Sequence, residues 1–170
     1  MEYAPGGAPS TFRPEFVRNR VRHRGDLPRI QMLYSPPGAS AMLGSVTPFF
    51  IVDDLAKTLE FYQSRLAFNV LYKGGDQNGD FWAMLGRDRV MLMFKSITPD
   101  IHPQPNHSRH EWASWDAYIF TTDPDSLYAE FRAKEVPIHR ELADTNDGLR
   151  AFEIRDNSGY VLCFGRPLNE

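Results

Sequence analysis

PFFIVDDLAKTLEFY, residues 48–62, decides the fold, because its pattern returns as AYIFTTDPDSLYAEF at residues 117–131, about 69 positions later. Each stretch runs an apolar strand into an acidic helix start and then an amphipathic helix. The sequels repeat as well: DRVMLMF (88–94) and SGYVLCF (158–164) are both turn-then-strand segments, offset by about 70. A period near 70 residues is too long for a solenoid and suits two halves of one domain. Paired halves can form a cleft, and equivalent positions in the two can be compared for chemistry.

Around this repeat, the bounds are those of one domain with an appendage. The chain has 170 residues, 42% of them hydrophobic, enough to bury a core of its own. The single cysteine, Cys163, rules out an internal disulfide framework and a cysteine-based zinc cage. No apolar run is long enough to span a bilayer, and the N-terminus lacks the apolar stretch of a secretory signal, so a cytoplasmic protein is expected, with no membrane partner. The net charge of -3 is uneven: residues 1–41 hold six arginines against three acids, leaving 13 basic and 19 acidic residues beyond. An acidic body argues against a nucleic-acid surface and mildly favours neutral or cationic ligands. Residues 1–41, rich in Pro, Gly and Arg and ending in SPPGAS (35–40), read as a flexible extension, and Met42 as the start of the compact unit (42–170). The alternation Arg18, Arg20, Arg22, Arg24 is compatible with a nucleic-acid or membrane arm, but no aromatic or amphipathic partner accompanies it.

The halves, about 45–95 and 113–167, each read as βαβββ. In the first, Val46–Val52 is a strand and Asp53 or Asp54 caps a helix bearing Leu55, Leu59, Tyr62 and Leu66. Phe68–Tyr72 is a short strand, GGDQNGD (74–80) a turn, and Phe81–Leu85 with Val90–Phe94 a hairpin. In the second, Trp115–Thr121 is a strand, Asp123 the cap, Leu127–Phe131 a helix and Val136–His139 a strand. Arg150–Arg155 and Tyr160–Phe164 close the half across a turn at 156–159. Residues 95–111 link the halves.

These units, the VDDL helix entry and above all GLRAFEIRDNSGYVLCFG (148–165), with its Arg150, Phe152, Asp156, Gly159 and Leu162, resemble the vicinal oxygen chelate superfamily. That superfamily includes glyoxalase I, fosfomycin resistance proteins, extradiol dioxygenases and bleomycin resistance proteins. The resemblance covers about residues 44–167 and implies an α+β fold of two tandem βαβββ units, whose curved mixed sheets surround a cleft. It also implies where metal-dependent members place ligands: at the opening of a half's first strand, here Thr47 and Asp116, and near the end of its last strand, here Met93 and Cys163. A divalent ion in N/O chemistry needs imidazole or carboxylate at these points. Only Asp116 qualifies, so no metal and no cofactor are expected.

Strand alternation then gives those positions an organic ligand to line. Thr47 shares a face with Phe49 and Ile51, Asp116 with Tyr118 and Phe120, and the closing strands add Met91, Met93 and Cys163. Flat rings can stack on such a surface while Asp116 pairs with a cationic group. The same aromatic and Met positions also read as plain core, and Asp116 also reads as a surface residue or one that makes a helix-facing hydrogen bond. His102, His107 and His110, near Asp100, sit in the linker at spacings that match no established metal motif. Trp112 and Trp115 suggest that the linker's end packs down over the cleft. Arg150 reads as an anion anchor or a structural ion pair, and Cys163 as a buried thiol without an activating partner. The expected function, similar to the bleomycin resistance branch, is metal-independent sequestration of a planar organic ligand in a homodimer cleft. Two alternatives stand beside it: a glyoxalase- or dioxygenase-like enzyme with a metal relocated to Asp116 and linker histidines, and a structural dimer whose cleft is closed by side chains.

Overall fold

The computed structural model describes residues 45–169. The expectations for residues 1–41, including the arginine alternation, and for Met42 as a start lie outside the described residues. The first half builds β1 (Phe49–Ile51), α1 (Leu55–Ser64), β2 (Asn69–Asp76), β3 (Gly79–Arg87) and β4 (Val90–Lys95). The second builds β5 (Ala117–Phe120), α2 (Pro124–Ala133), β6 (Ile138–Asp144), β7 (Leu149–Arg155) and β8 (Val161–Pro167). Each half makes a four-stranded mixed sheet, ordered β1-β4-β3-β2 and β5-β8-β7-β6, parallel only where β1 meets β4 and β5 meets β8. This is the expected α+β architecture, and neither sheet closes on itself.

Both helices begin at a carboxylate that accepts an otherwise unpaired amide. Asp54 takes the Lys57 N–H at 3.0 Å and Asp123 takes the Ser126 N–H at 3.0 Å, with Pro124 opening α2. Asp53, the other candidate cap, instead lies 2.9 Å from His102 Nδ1. Leu55, Leu59, Tyr62 and Leu66 are all buried, as their helical spacing demands. In the second half Phe131 meets Phe152 and Phe164 edge-on, at 5.8 and 5.3 Å between ring centres, while Phe152 and Phe164 stack at 5.4 Å. Burying rings of this size contributes roughly 1.5–3 kcal/mol each.

The halves share one core and are fastened by polar bonds across it. Tyr62 Oη donates to Asp156 Oδ2 at 2.9 Å, and Tyr160 Oη to the Ile51 carbonyl at 2.7 Å. Arg87 grips Glu130 with two bonds of 2.7 and 3.1 Å and donates to the Leu66 carbonyl at 2.7 Å.

Several strand limits differ from the sequence reading: β1 and β5 are shorter, beginning at Phe49 and Ala117, and β8 runs on to Pro167. GGDQNGD is mostly strand, because β2 and β3 run through its glycines and turn only at Gln77–Asn78, where Gly79 takes φ +124. A Cβ on Gly75 would fall 2.1 Å from the Gly79 carbonyl oxygen, so glycine there permits close strand approach rather than ending the strand. β6 runs on to Asp144 instead of stopping at His139; it is a polar edge strand with two register shifts, which erase the alternation a sequence reader uses. The Pro-containing linker is pinned at one end, with Pro105 buried and a short 3₁₀ turn at Asn106–Ser108. Trp112, however, stays 84% exposed and does not pack down.

Candidate functional site

Each sheet turns one face to the helices and the other outward. Register places equivalent residues of the two halves in a row across the outer face. In the first sheet the row is Phe49, Met93, Met84, Tyr72; in the second it is Tyr118, Cys163, Glu153, Arg140. Phe49, Tyr72, Tyr118 and Phe120 stand between 41% and 55% exposed, so these faces carry open aromatic surface.

A cavity of about 380 Å³ lies on the second sheet's outer side, lined by Trp115, Tyr118, Phe120, Leu149 and Pro167. Trp115 and Tyr118 stack at 5.9 Å, and the Tyr118 hydroxyl is drawn back to the Gly165 carbonyl at 2.9 Å, which leaves the ring to face outward. Phe120, Gly165 and Ala151 form the neighbouring row. A larger groove of about 540 Å³ follows the seam between the halves, lined by Arg87, Val90, Phe120, Ser126, Leu127 and Phe131 among others.

Of the residues expected in the site, Tyr118 and Phe120 line the cavity, while Phe49, Met91 and Met93 belong to the first sheet's outer face. Thr47 is half-buried just ahead of β1. Asp116 is engaged inside the protein: Oδ1 accepts from the Asn106 N–H and Oδ2 from the Val161 N–H, both at 2.8 Å. It clamps the linker to the start of β8. Cys163 is fully buried, and burial, then the Glu153 carboxylate, push its thiol up to about 12. Arg150 is a structural ion pair, bonded to Asp125 at 2.6 and 2.9 Å and to Asp144 at 3.1 Å.

Leu149 and Pro167 of the cavity, and Tyr72, Met84, His139, Arg140 and Glu153 of the outer faces, were not singled out from sequence. Glu153 is 2% exposed on the outer side of β7. Its Oε1 accepts from Trp115 Nε1 at 2.7 Å and lies 3.3 Å from Arg140 Nη1; His139 Nε2 is 3.9 Å from Oε2. Burial and the Arg155 charge hold the His139 imidazole below its ordinary range, so it is neutral at neutral pH. The alternation of Phe152, Glu153 and Ile154 is visible in sequence, but an acid between core residues usually faces solvent, and only the register shows it covered.

A sequence model of the Glyoxalase/Bleomycin resistance protein/Dioxygenase superfamily matches residues 43–164. The chain belongs to that superfamily. Among solved structures, TioX from Micromonospora sp. ML1 is similar at 19% identity and TM-score 0.56, covering 74% of this chain and 100% of TioX. A bleomycin-binding protein complexed with bleomycin shares 20% identity at TM-score 0.56, over 73% of this chain and 98% of that one. TnmS3, an antibiotic binding protein from Streptomyces sp. CB03234, shares 20% identity at TM-score 0.55, over 75% and 99%. These likenesses show the fold. No curated protein matches the chain in sequence.

The superfamily's metal positions are a poor fit for an ion in this chain. Thr47 offers a neutral hydroxyl and Met93 a soft thioether, both oxygens of Asp116 are held by backbone amides, and the Cys163 thiol stays protonated. The linker histidines do not converge either: His102 meets Asp53, His107 lies 6.3 Å from His139 between ring centres, and His110 accepts from the Trp112 N–H. Among the described residues, no group of three or more His, Cys, Asp or Glu is arranged to hold a metal ion. No described helix is long and apolar enough to cross a membrane.

Proposed function

We propose that this chain is a metal-independent small-molecule-binding protein of the cytoplasm that sequesters a planar organic ligand against its outer sheet faces. The observation that carries this reading is the cavity walled by the stacked Trp115 and Tyr118 with Phe120, Leu149 and Pro167. Open aromatic faces of this kind bind flat rings by stacking and by removing apolar surface from water. Sequestration requires affinity and no group that acts on a transition state, which suits a site whose thiol is protonated. Phe49, Met91 and Met93 offer a second apolar wall. In a homodimer the exposed rings of both sheets would be covered, and such a cleft would hold the ligand between copies. Ligands named for the similar structures, bleomycin among them, are candidates of this class.

Isothermal titration with acridine, a planar neutral ring system, tests the reading, with light scattering for assembly. Wild type should bind with or without chelator and run as a dimer, while Trp115→Ala and Tyr118→Ala should each weaken binding by roughly 5- to 150-fold, given about 1 to 3 kcal/mol for a ring stacked on an aromatic side chain. Equal binding by the wild type and both variants, or no binding at millimolar ligand, would overturn it.

A further inference from the structure

The two outer-face rows are copies of one another, and they differ where a difference is expensive. At the third place the first sheet holds Met84 and the second holds Glu153; at the edge the first holds Tyr72 and the second Arg140. The fold therefore accepts an apolar pair at these places and does not need a carboxylate. A carboxylate buried in a sheet face costs stability unless its oxygens are met by donors. Glu153 is met poorly. Among the described residues its side chain takes one hydrogen bond, from Trp115, the Arg140 contact is a single ion-pair approach of 3.3 Å, and Oε2 has no hydrogen-bond partner. The groups around it settle which partner can move. Cys163 lies beside it on β8, and His139, with Arg155 3.4 Å away from its other ring nitrogen, stays 3.9 Å from Oε2. Arg140 is the remaining charged neighbour, and its side chain is 59% exposed.

We propose that Glu153 is the ligand-reading carboxylate of the cavity, and that Arg140 is a placeholder cation which a cationic N–H group of the ligand displaces. The inference rests on the reading of the Trp115–Tyr118 cavity as a ligand site. It narrows the ligand class to planar molecules that carry an ammonium, amidinium or protonated ring nitrogen. Trp115 ties the two parts together, because its ring walls the cavity while its N–H donates to Glu153. The cavity's lining reaches the row at Tyr118; Cys163 and Glu153, the next two places, are buried, so a cationic substituent of a stacked ring reaches Glu153 only once Arg140 has moved. Before the ligand arrives, Arg140 limits the cost of the buried charge. Once the ligand has arrived, Arg140 returns to solvent.

The test titrates proflavine, a planar cation, and acridine, its neutral counterpart at pH 7.5, against wild type, Glu153→Gln and Arg140→Ala. Glu153→Gln should weaken proflavine by roughly 10- to 100-fold, the scale of a charged hydrogen bond, and leave acridine within about twofold. Arg140→Ala, a change at an exposed edge residue, should strengthen proflavine, because it removes the competing cation. A merely structural Glu153–Arg140 pair would leave proflavine unchanged there or weaken it. The proposal is overturned if Arg140→Ala weakens proflavine or leaves it unchanged, or if Glu153→Gln weakens both compounds alike. Wild type that binds acridine without preferring proflavine also sinks this inference and leaves the cavity reading standing. Wild type that binds neither removes both. Should Glu153→Gln fail to fold, the Arg140→Ala result decides alone.

Discussion

Asp156 gives the sharpest prediction, because its environment fixes both a sign and a size. The side chain is 6% exposed in the turn between β7 and β8. Oδ2 accepts from the Tyr62 hydroxyl, and Oδ1 from the amides of Ser158 and Tyr160, each at 2.9 Å. Burial is the largest influence and raises the carboxyl from its ordinary 3.8 to about 6, against the pull of those three donors; the nearby Asp116 charge adds to the rise. A folded-state value above the unfolded one means that the folded protein binds the proton more tightly. The contribution to stability is therefore fully present below pH 3.8 and is lost as pH rises through about 6. At about 1.4 kcal/mol for each pH unit of difference, the loss amounts to roughly 3 kcal/mol. Asp156→Asn keeps a neutral group of the same shape, whose oxygen can still accept from both turn amides. Urea unfolding of both proteins at pH 4, 5, 6 and 7.5 should show wild type losing roughly 2 kcal/mol relative to the variant across that range, the rest of the loss lying below pH 4. Other carboxylates cancel in the comparison. A difference that does not vary with pH, or wild type gaining on the variant as pH rises, refutes the reasoning.

Four further outcomes follow from the same geometry. Arg87→Ala removes the two-pronged bond to Glu130, the Leu66 carbonyl contact and the guanidinium over the Phe131 ring; urea unfolding should show a loss of roughly 1–3 kcal/mol, and an unchanged midpoint would mean the seam is held by apolar packing alone. Gly165→Ala places a Cβ 2.6 Å from the Ala151 Cβ and 2.7 Å from the Arg150 carbonyl oxygen; a melting temperature equal to wild type would contradict that overlap, and roughly 1–3 kcal/mol of destabilisation is expected. Asp116→Asn leaves one of the Asn106 and Val161 amides without its acceptor, so stability should fall by roughly 1–3 kcal/mol while proflavine affinity holds; a selective loss of proflavine would return the ligand-reading role to Asp116. The Cys163 thiol, buried and raised to about 12, should resist a disulfide reagent at pH 8 until the protein unfolds, and fast labelling of native protein would show the outer face of β8 to be open.

The fold was legible because duplication doubles every local signal. Apolar spacing in α1 and α2, a carboxylate at each helix start and a turn at 156–159 recur at one offset, and the structure keeps all of them. The misread places are those where a residue's usual meaning is overridden by its neighbours. Gly74, Gly75 and Gly79 look like a loop, yet Gly74 and Gly75 let β2 and β3 approach closely, and Gly79 supplies the positive φ of the turn. The edge strand β6 has no alternation to read, because its register slips twice. Trp112 and Trp115 are alike in sequence, but Trp115 finds a stacked ring and a buried acceptor, whereas Trp112 meets only the neighbouring His110 ring and stays exposed.

The site was less legible, for a reason that lies in how a sheet is built. Alternation along one strand tells which residues share a face, and this placed Tyr118 with Phe120 correctly. It does not tell which residue of the next strand lies opposite, and a ligand site on a sheet is made of rows across strands. Tyr118 and Arg140 are 22 positions apart in sequence and stand at opposite ends of one row, with Cys163 and Glu153 between them. Asp116 drew notice because it occupies a special place in the repeat, but a carboxylate beside a chain reversal has backbone amides within reach, and it took two of them. Glu153 stands between Phe152 and Ile154, where an acid normally marks the solvent side, and only the covering Trp115 and Arg140 make it a buried charge. The repeat then supplies the comparison that one strand cannot: Met84 at the equivalent place shows what the fold accepts there, so the chemistry that departs from it in the second sheet answers to something other than folding.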